Sequence, residues 1–225
     1  LCMHRNYDYI IAGGKAWNPY YCQSFGTTED KLVNIGLPRL DYLLKTEEKN
    51  RRAAVQAYPQ LEEKQVILYA PTFRRNIELK WEDLLNEIDF SKYILIIKGH
   101  PNQEITASGE GVLLCPEFKA VELLAVCDYL ITDYSAIAIE GAALNKKTYY
   151  YLYDYEEYTE KNGINVNPFE SMPGCAFKDA RSLIESLESG EYNLQALKEY
   201  RAKYLPEEPG TSTEKLARLV INNLS

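Results

Sequence analysis

The feature that most constrains this chain is a recurrence. From Lys64 onward, short apolar runs at Val66–Ala70, Tyr93–Ile97, Gly111–Cys115, Tyr129–Thr132 and Thr148–Leu152 alternate with helical spacing at Trp81–Ile88, Lys119–Val126 and Ala136–Leu144. Runs this short, rich in β-branched and aromatic residues and nearly free of charge, read as strands buried on both faces. Strands alternating with helices predict βαβ units and a parallel sheet. The tail reads as helical at Asp179–Ser189, Leu194–Tyr204 and Thr213–Leu224. Upstream, Tyr7–Ala12 reads as a strand ended by Gly13-Gly14, Asn18–Phe25 as a short helix and Val33–Gly36 as a second short strand. Asp41–Tyr58 reads as a helix with a solvated, charge-rich face.

In an open α/β sheet, ligands bind beyond the carboxyl ends of the strands. Four of the predicted strands end in chemistry there: Pro71-Thr-Phe-Arg74-Arg75, Lys98-Gly-His100-Pro101, Thr132-Asp133-Tyr134-Ser135 and Tyr153-Asp154. Together they place arginine, lysine, histidine and hydroxyl groups at one edge, a set suited to an anion. Ser135 falls near the start of the next helix, where free N–H groups and the helix dipole favour phosphate. A second helix start of this kind is Gly210-Thr211-Ser212-Thr213. Each group has a plainer reading. Either arginine is an ordinary surface cation, Asp133 and Ser135 cap a helix, and Thr211–Thr213 form a capping cluster. Their gathering at strand ends is what favours a shared site. No Gly-x-x-x-x-Gly-Lys-Ser/Thr or Gly-x-Gly-x-x-Gly pattern is present.

Composition narrows the class. A net charge of −8 over 225 residues argues against nucleic acid as a partner, because phosphate backbones demand basic surfaces. The apolar runs are far shorter than a membrane span and no secretory signal opens the chain. The 5 cysteines are widely spaced without a Cys-x-x-Cys pair, so neither a zinc site nor a disulfide framework is suggested, and Cys115 and Cys127 read as buried thiols. These features predict a soluble, cytoplasmic protein. The 19 tyrosines read as compositional bias. The chain opens on Leu1 with a strand-like segment close behind, which reads as the interior of a longer polypeptide.

The strings Leu68-Tyr-Ala-Pro-Thr-Phe-Arg, Ile97-Lys-Gly-His-Pro, Asp128-Tyr-Leu-Ile-Thr-Asp-Tyr-Ser and Pro173-Gly, in this order and spacing, resemble the CDP-glycerol glycerophosphotransferase family of teichoic acid synthesis. Tyr7-Asp-Tyr-Ile and Gly36-Leu-Pro-Arg-Leu-Asp resemble the segment leading into the donor domain of that family. The resemblance implies a GT-B-type, Rossmann-like α/β fold with a mainly parallel sheet and a helical C-terminal tail. It implies that residues 1–45 end an acceptor-side domain and that 46–225 form the domain binding a CDP-alcohol donor. His100 matches the catalytic histidine. Arg74, Lys98, Thr132, Asp133, Tyr134, Ser135, Glu140 and the Gly210, Thr211, Ser212, Thr213 start are then the donor- and phosphate-binding set. No metal site is implied. Asp133 is a lone candidate carboxylate, so any divalent metal such as Mg would be one carried with the nucleotide.

The resemblance also has departures. Ala136 stands where the family commonly has a second serine, and Glu207-Glu208-Pro-Gly-Thr-Ser-Thr-Glu-Lys replaces its late Asp-Asp-Gly-Lys-Ala segment. The upstream Trp-His-Gly-Thr motif is absent, and His4 lacks that context. The implied reaction moves glycerol phosphate or ribitol phosphate from a CDP-activated donor to an acceptor hydroxyl. The acceptor would be lipid-linked in the full-length enzyme, at the inner face of the membrane. The 225 residues alone are expected to bind donor but to transfer poorly. Alternative readings are another GT-B enzyme, a nucleotide-sugar glycosyltransferase or 2-epimerase, or a non-catalytic nucleotide-binding module.

Overall fold

The computed structural model describes residues 6–72, 80–99, 105 and 107–223. Its strands are β1 (Ile10–Ile11), β2 (Leu32–Val33), β3 (Gln65–Tyr69), β4 (Tyr93–Ile97), β5 (Val112–Leu113), β6 (Tyr129–Thr132), β7 (Lys147–Tyr151) and β8 (Ala176–Phe177). Its helices are α1 (Asn18–Phe25), α2 (Pro38–Ala57), α3 (Trp81–Glu87), α4 (Ala120–Leu123), α5 (Ile137–Ala143), α6 (Tyr155–Asn162), α7 (Pro168–Ser171), α8 (Ala180–Glu188), α9 (Leu194–Tyr204) and α10 (Ser212–Asn222). The chain divides into two packing units: Leu1–Thr46 together with Lys198–Ser225, and Glu47–Leu197. The sequence division at 45/46 grouped the last helix with the donor domain, whereas packing groups it with the N-terminal segment.

The second unit is a six-stranded sheet in the order β5-β4-β3-β6-β7-β8, and every pairing in it is parallel. β4 is buried at all five positions, as its uninterrupted apolar run requires of a strand covered on both faces. On one face, Ile67, Tyr69, Leu95, Ile131, Tyr149 and Tyr151 form a core with Leu84 of α3 and Leu183, Ile184 and Leu187 of α8. The tyrosines have a structural use here. The Tyr93, Tyr129 and Tyr149 rings run across β4, β6 and β7 at 6.2 and 6.3 Å between centroids, the first pair reaching over β3, within the range of favourable tilted pairs. Buried tyrosines thus replace aliphatic side chains in this sheet. Helix α5 is lined with Ala138, Gly141, Ala142 and Ala143, all buried, which lets it lie close to the strands.

The first unit holds the short parallel pair β1–β2, continued by Ala12 N–H to Val33 O at 3.0 Å. Gly14 is there for close approach: a Cβ on it would lie 2.4 Å from the carbonyl oxygen of Lys203. Its N–H donates to Tyr204 O at 3.1 Å, and the Trp17 indole N–H donates to the same oxygen at 3.1 Å. The turn read at Gly13-Gly14 is therefore the place where the end of α9 docks.

Candidate functional site

In the second unit the order of strands reverses direction between β3 and β6. β4 and β5 follow β3 to one side, while β6, β7 and β8 run to the other. Such a switch point opens a crevice at the carboxyl ends, because the loops on its two sides diverge. Here the two sides are fastened together. Thr132 Oγ donates to Ala70 O at 2.7 Å. The Asp133 carboxylate accepts from Thr72 N–H at 2.8 Å and from Thr72 Oγ at 2.6 Å through the same oxygen. Thr132 and Asp133 are 0% and 2% exposed, so their polar groups face the exit of β3 rather than solvent. The sequence marked both as ligand groups. The structure gives both the task of fixing where the chain leaves β3, two residues ahead of Arg74.

Tyr134 is held from the opposite side. Its hydroxyl donates to Asp154 Oδ1 at 3.3 Å, just beyond β7, and its ring stacks on Tyr158 of α6 at 3.8 Å and 1°. Ser135 follows, partly exposed, and its Oγ meets Ile137 N–H only at 3.5 Å. The residue capping α5 is Ala136, which makes no side-chain cap bond. Glu140 lies in α5 at 4% exposure, a carboxylate sunk just below this edge.

Lys98 closes the other flank. Its ammonium donates to Leu114 O at 3.2 Å and Cys115 O at 3.0 Å, anchoring the exit of β5 to that of β4. Burial lowers its pKa from the usual lysine value. Burial also pushes the Cys115 thiol up to about 11 and that of Cys127 to about 12, so neither supplies a thiolate near neutral pH. His100, Arg74 and Arg75 lie outside the described residues, as does His4. Among the described residues no group of three His, Cys, Asp or Glu side chains is placed to hold a metal.

The helix start at Gly210–Thr213 belongs to the first unit, apart from the strand ends in the packing division. There Thr213 N–H donates to Asp41 Oδ2 at 2.6 Å, and Asp41 is buried at 2% exposure. Burial pulls the Asp41 pKa upward, but hydrogen bonds from Thr213 and Ser212 outweigh it and hold the carboxyl below its ordinary value. Thr211 donates its hydroxyl to Glu208 O at 2.8 Å, and Ser212 is fully buried. The anion at this helix start is a side chain of the protein itself. No sequence pattern reveals that partner, because Asp41 is 172 residues from Thr213.

Helices on both faces of a parallel sheet, with hydroxyl and carboxylate groups gathered at its switch point, define a Rossmann-like α/β protein. The chain belongs to the CDP-glycerol:poly(glycerophosphate) glycerophosphotransferase family, whose model matches residues 1–222. It is 31% identical to the teichoic acid ribitol-phosphate primase of Bacillus spizizenii, over 99% of this chain and 61% of that protein. It is 29% identical to the teichoic acid glycerol-phosphate primase of Bacillus subtilis, over 99% of this chain and 60% of that protein. The chain thus spans about three fifths of these relatives. Its fold matches a solved structure of the wall teichoic acid polymerase TagF with a TM-score of 0.77 at 21% identity, covering 96% of this chain and 57% of that one. The fold is accordingly GT-B-type. No helix among the described residues is long and apolar enough to cross a membrane.

Proposed function

We propose that this chain is the donor-binding part of an enzyme that transfers a polyol phosphate from a CDP-alcohol to an acceptor hydroxyl in teichoic-acid-type polymer synthesis. The observation that carries this reading is the fastened switch point. Thr132 and Asp133 fix the chain just before Arg74 and leave Ser135 at the same edge. Family membership supplies the chemistry for that edge.

In this reading the acceptor oxygen attacks the β-phosphorus, and the bond to the bridging oxygen breaks, releasing CMP. Catalysis of this kind is mostly positioning and electrostatic stabilisation. His100 donates a hydrogen bond or proton to the departing phosphate, a role matched to a group titrating near neutrality. Arg74 neutralises the diphosphate. Ser135 donates its hydroxyl to phosphate, and Glu140 accepts from donor hydroxyls. Lys98 adds one cation from the flank while its other N–H groups hold β5. Gly210–Thr213 is left out, because Asp41 already meets its N–H groups. The acceptor is lipid-linked, and the full-length enzyme works at the inner face of the membrane. Any divalent metal arrives with the nucleotide.

Titration calorimetry with CDP-glycerol, CDP-ribitol and a UDP-sugar tests this. Binding of one CDP-alcohol and not of the UDP-sugar is expected; preference for the UDP-sugar would overturn the reading. In the full-length enzyme, His100→Ala is expected to lower turnover by roughly 10²- to 10⁴-fold. Unchanged turnover would remove His100 from the mechanism.

A further inference from the structure

We propose that Tyr158 of α6, acting with Asp154, is a positioning residue for the Thr132–Ser135 turn, an inference that rests on the donor-binding reading above. The turn is fixed at its start from the β3 side, through Thr132 to Ala70 and Asp133 to Thr72. From the β7 side, Asp154 accepts the Tyr134 hydroxyl at 3.3 Å and Tyr158 lies flat against the Tyr134 ring at 3.8 Å. Ser135 directly follows the second of the two clamps, and among the described residues its hydroxyl meets Ile137 N–H at 3.5 Å.

Helix α6 is suited to be the fixed wall. It buries none of its residues, so the core does not explain its place. It is held instead at its first turn, where the Tyr155 ring meets Phe169 edge-on at 5.1 Å and Glu156 pairs with Lys178. These attachments do not involve Tyr158. Removing the Tyr158 ring therefore releases Tyr134 while α6 stays in place. A nearly parallel pair this close is also not the arrangement two electron-rich rings prefer. The Asp154 bond and the anchored helix constrain the two rings from outside the pair.

The test compares Tyr158→Leu with Tyr158→Phe in the same chain, by hydrogen exchange and by calorimetry with the CDP-alcohol the unaltered chain binds. Tyr158→Leu is expected to speed exchange at the amides of residues 134–137 while leaving β3 and β4 unchanged. It is expected to weaken donor binding about three- to tenfold, the scale of one aromatic pair. Tyr158→Phe, which keeps the ring, restores both. Unchanged exchange in Tyr158→Leu, or faster exchange with undiminished donor binding, would overturn the inference alone. Absence of donor binding by the unaltered chain would overturn the functional reading and this inference with it.

Discussion

Thr72 and Thr213 sit in different packing units and meet the same kind of partner. Each threonine amide donates to a buried aspartate, at 2.8 Å to Asp133 and at 2.6 Å to Asp41. At Thr72 the aspartate comes from the neighbouring strand and takes the threonine hydroxyl as well, so it ties two strand exits together. At Thr213 it comes from α2 and stands where a bound anion would stand at a helix start. One carboxylate organises the edge of the candidate site; the other fills a site-like position. Residue type alone does not separate the two cases. What separates them is the element that carries the aspartate, a strand exit beside diverging loops in one case and a packed helix in the other.

The largest expected effect is at the strand-end fastener. Asp133→Ala leaves the partly buried Thr72 N–H and hydroxyl without their charged acceptor, and should cost about 3 kcal/mol of stability. Urea unfolding measures it; a loss under about 0.5 kcal/mol would show that the two exits hold without this residue. At the helix start the expected loss is smaller. Asp41→Ala removes a cap and should cost about 1–2 kcal/mol, without changing affinity for a CDP-alcohol. Weaker donor binding by this variant would break the contrast between the two aspartates.

Acid sharpens the same contrast. The Asp41 pKa is lowered in the folded chain, so its contribution is full above the ordinary carboxylate pKa and is lost as pH falls through the folded value. Asp41→Asn should therefore flatten the acid limb of the stability curve below about pH 4. An acid limb as steep as before would assign it to other carboxylates. The smallest effect is expected at Lys98. Lys98→Met keeps the apolar stem and removes the hydrogen bonds to Leu114 and Cys115, for about 1 kcal/mol. Thermal unfolding is the readout, and no shift would make those bonds incidental.

Much of the fold was legible because it rests on local signals. The apolar runs Tyr93–Ile97 and Tyr129–Thr132 coincide with β4 and β6, and Asn18–Phe25 with α1. Signals failed where tertiary contact decides. α6 is eight residues, mostly polar, with Tyr155 and Tyr158 as its only aromatic groups, and β8 is two residues long, so neither announces itself. The candidate site was legible as a set of strand ends. The division of labour within it was not. Asp133, Thr132 and Lys98 have the side chains of ligand-binding residues, yet their described partners are backbone and side-chain groups of the protein, brought near by parallel pairing. Tyr158 gave no signal at all, because its stacking partner is on another strand's exit.

The docking of Gly14 against the end of α9 has a kinetic consequence. The first unit is written in two pieces, Leu1–Thr46 and Lys198–Ser225, with the whole second unit between them. Its defining contacts therefore close very long loops, whereas the second unit can assemble from a continuous stretch. Non-local closure of this kind is slow and carries an entropic cost that local pairing avoids. During synthesis the six-stranded sheet can form while the last 28 residues are still being added. Trimming those residues should remove one of the two pieces of the first unit and leave the sheet standing.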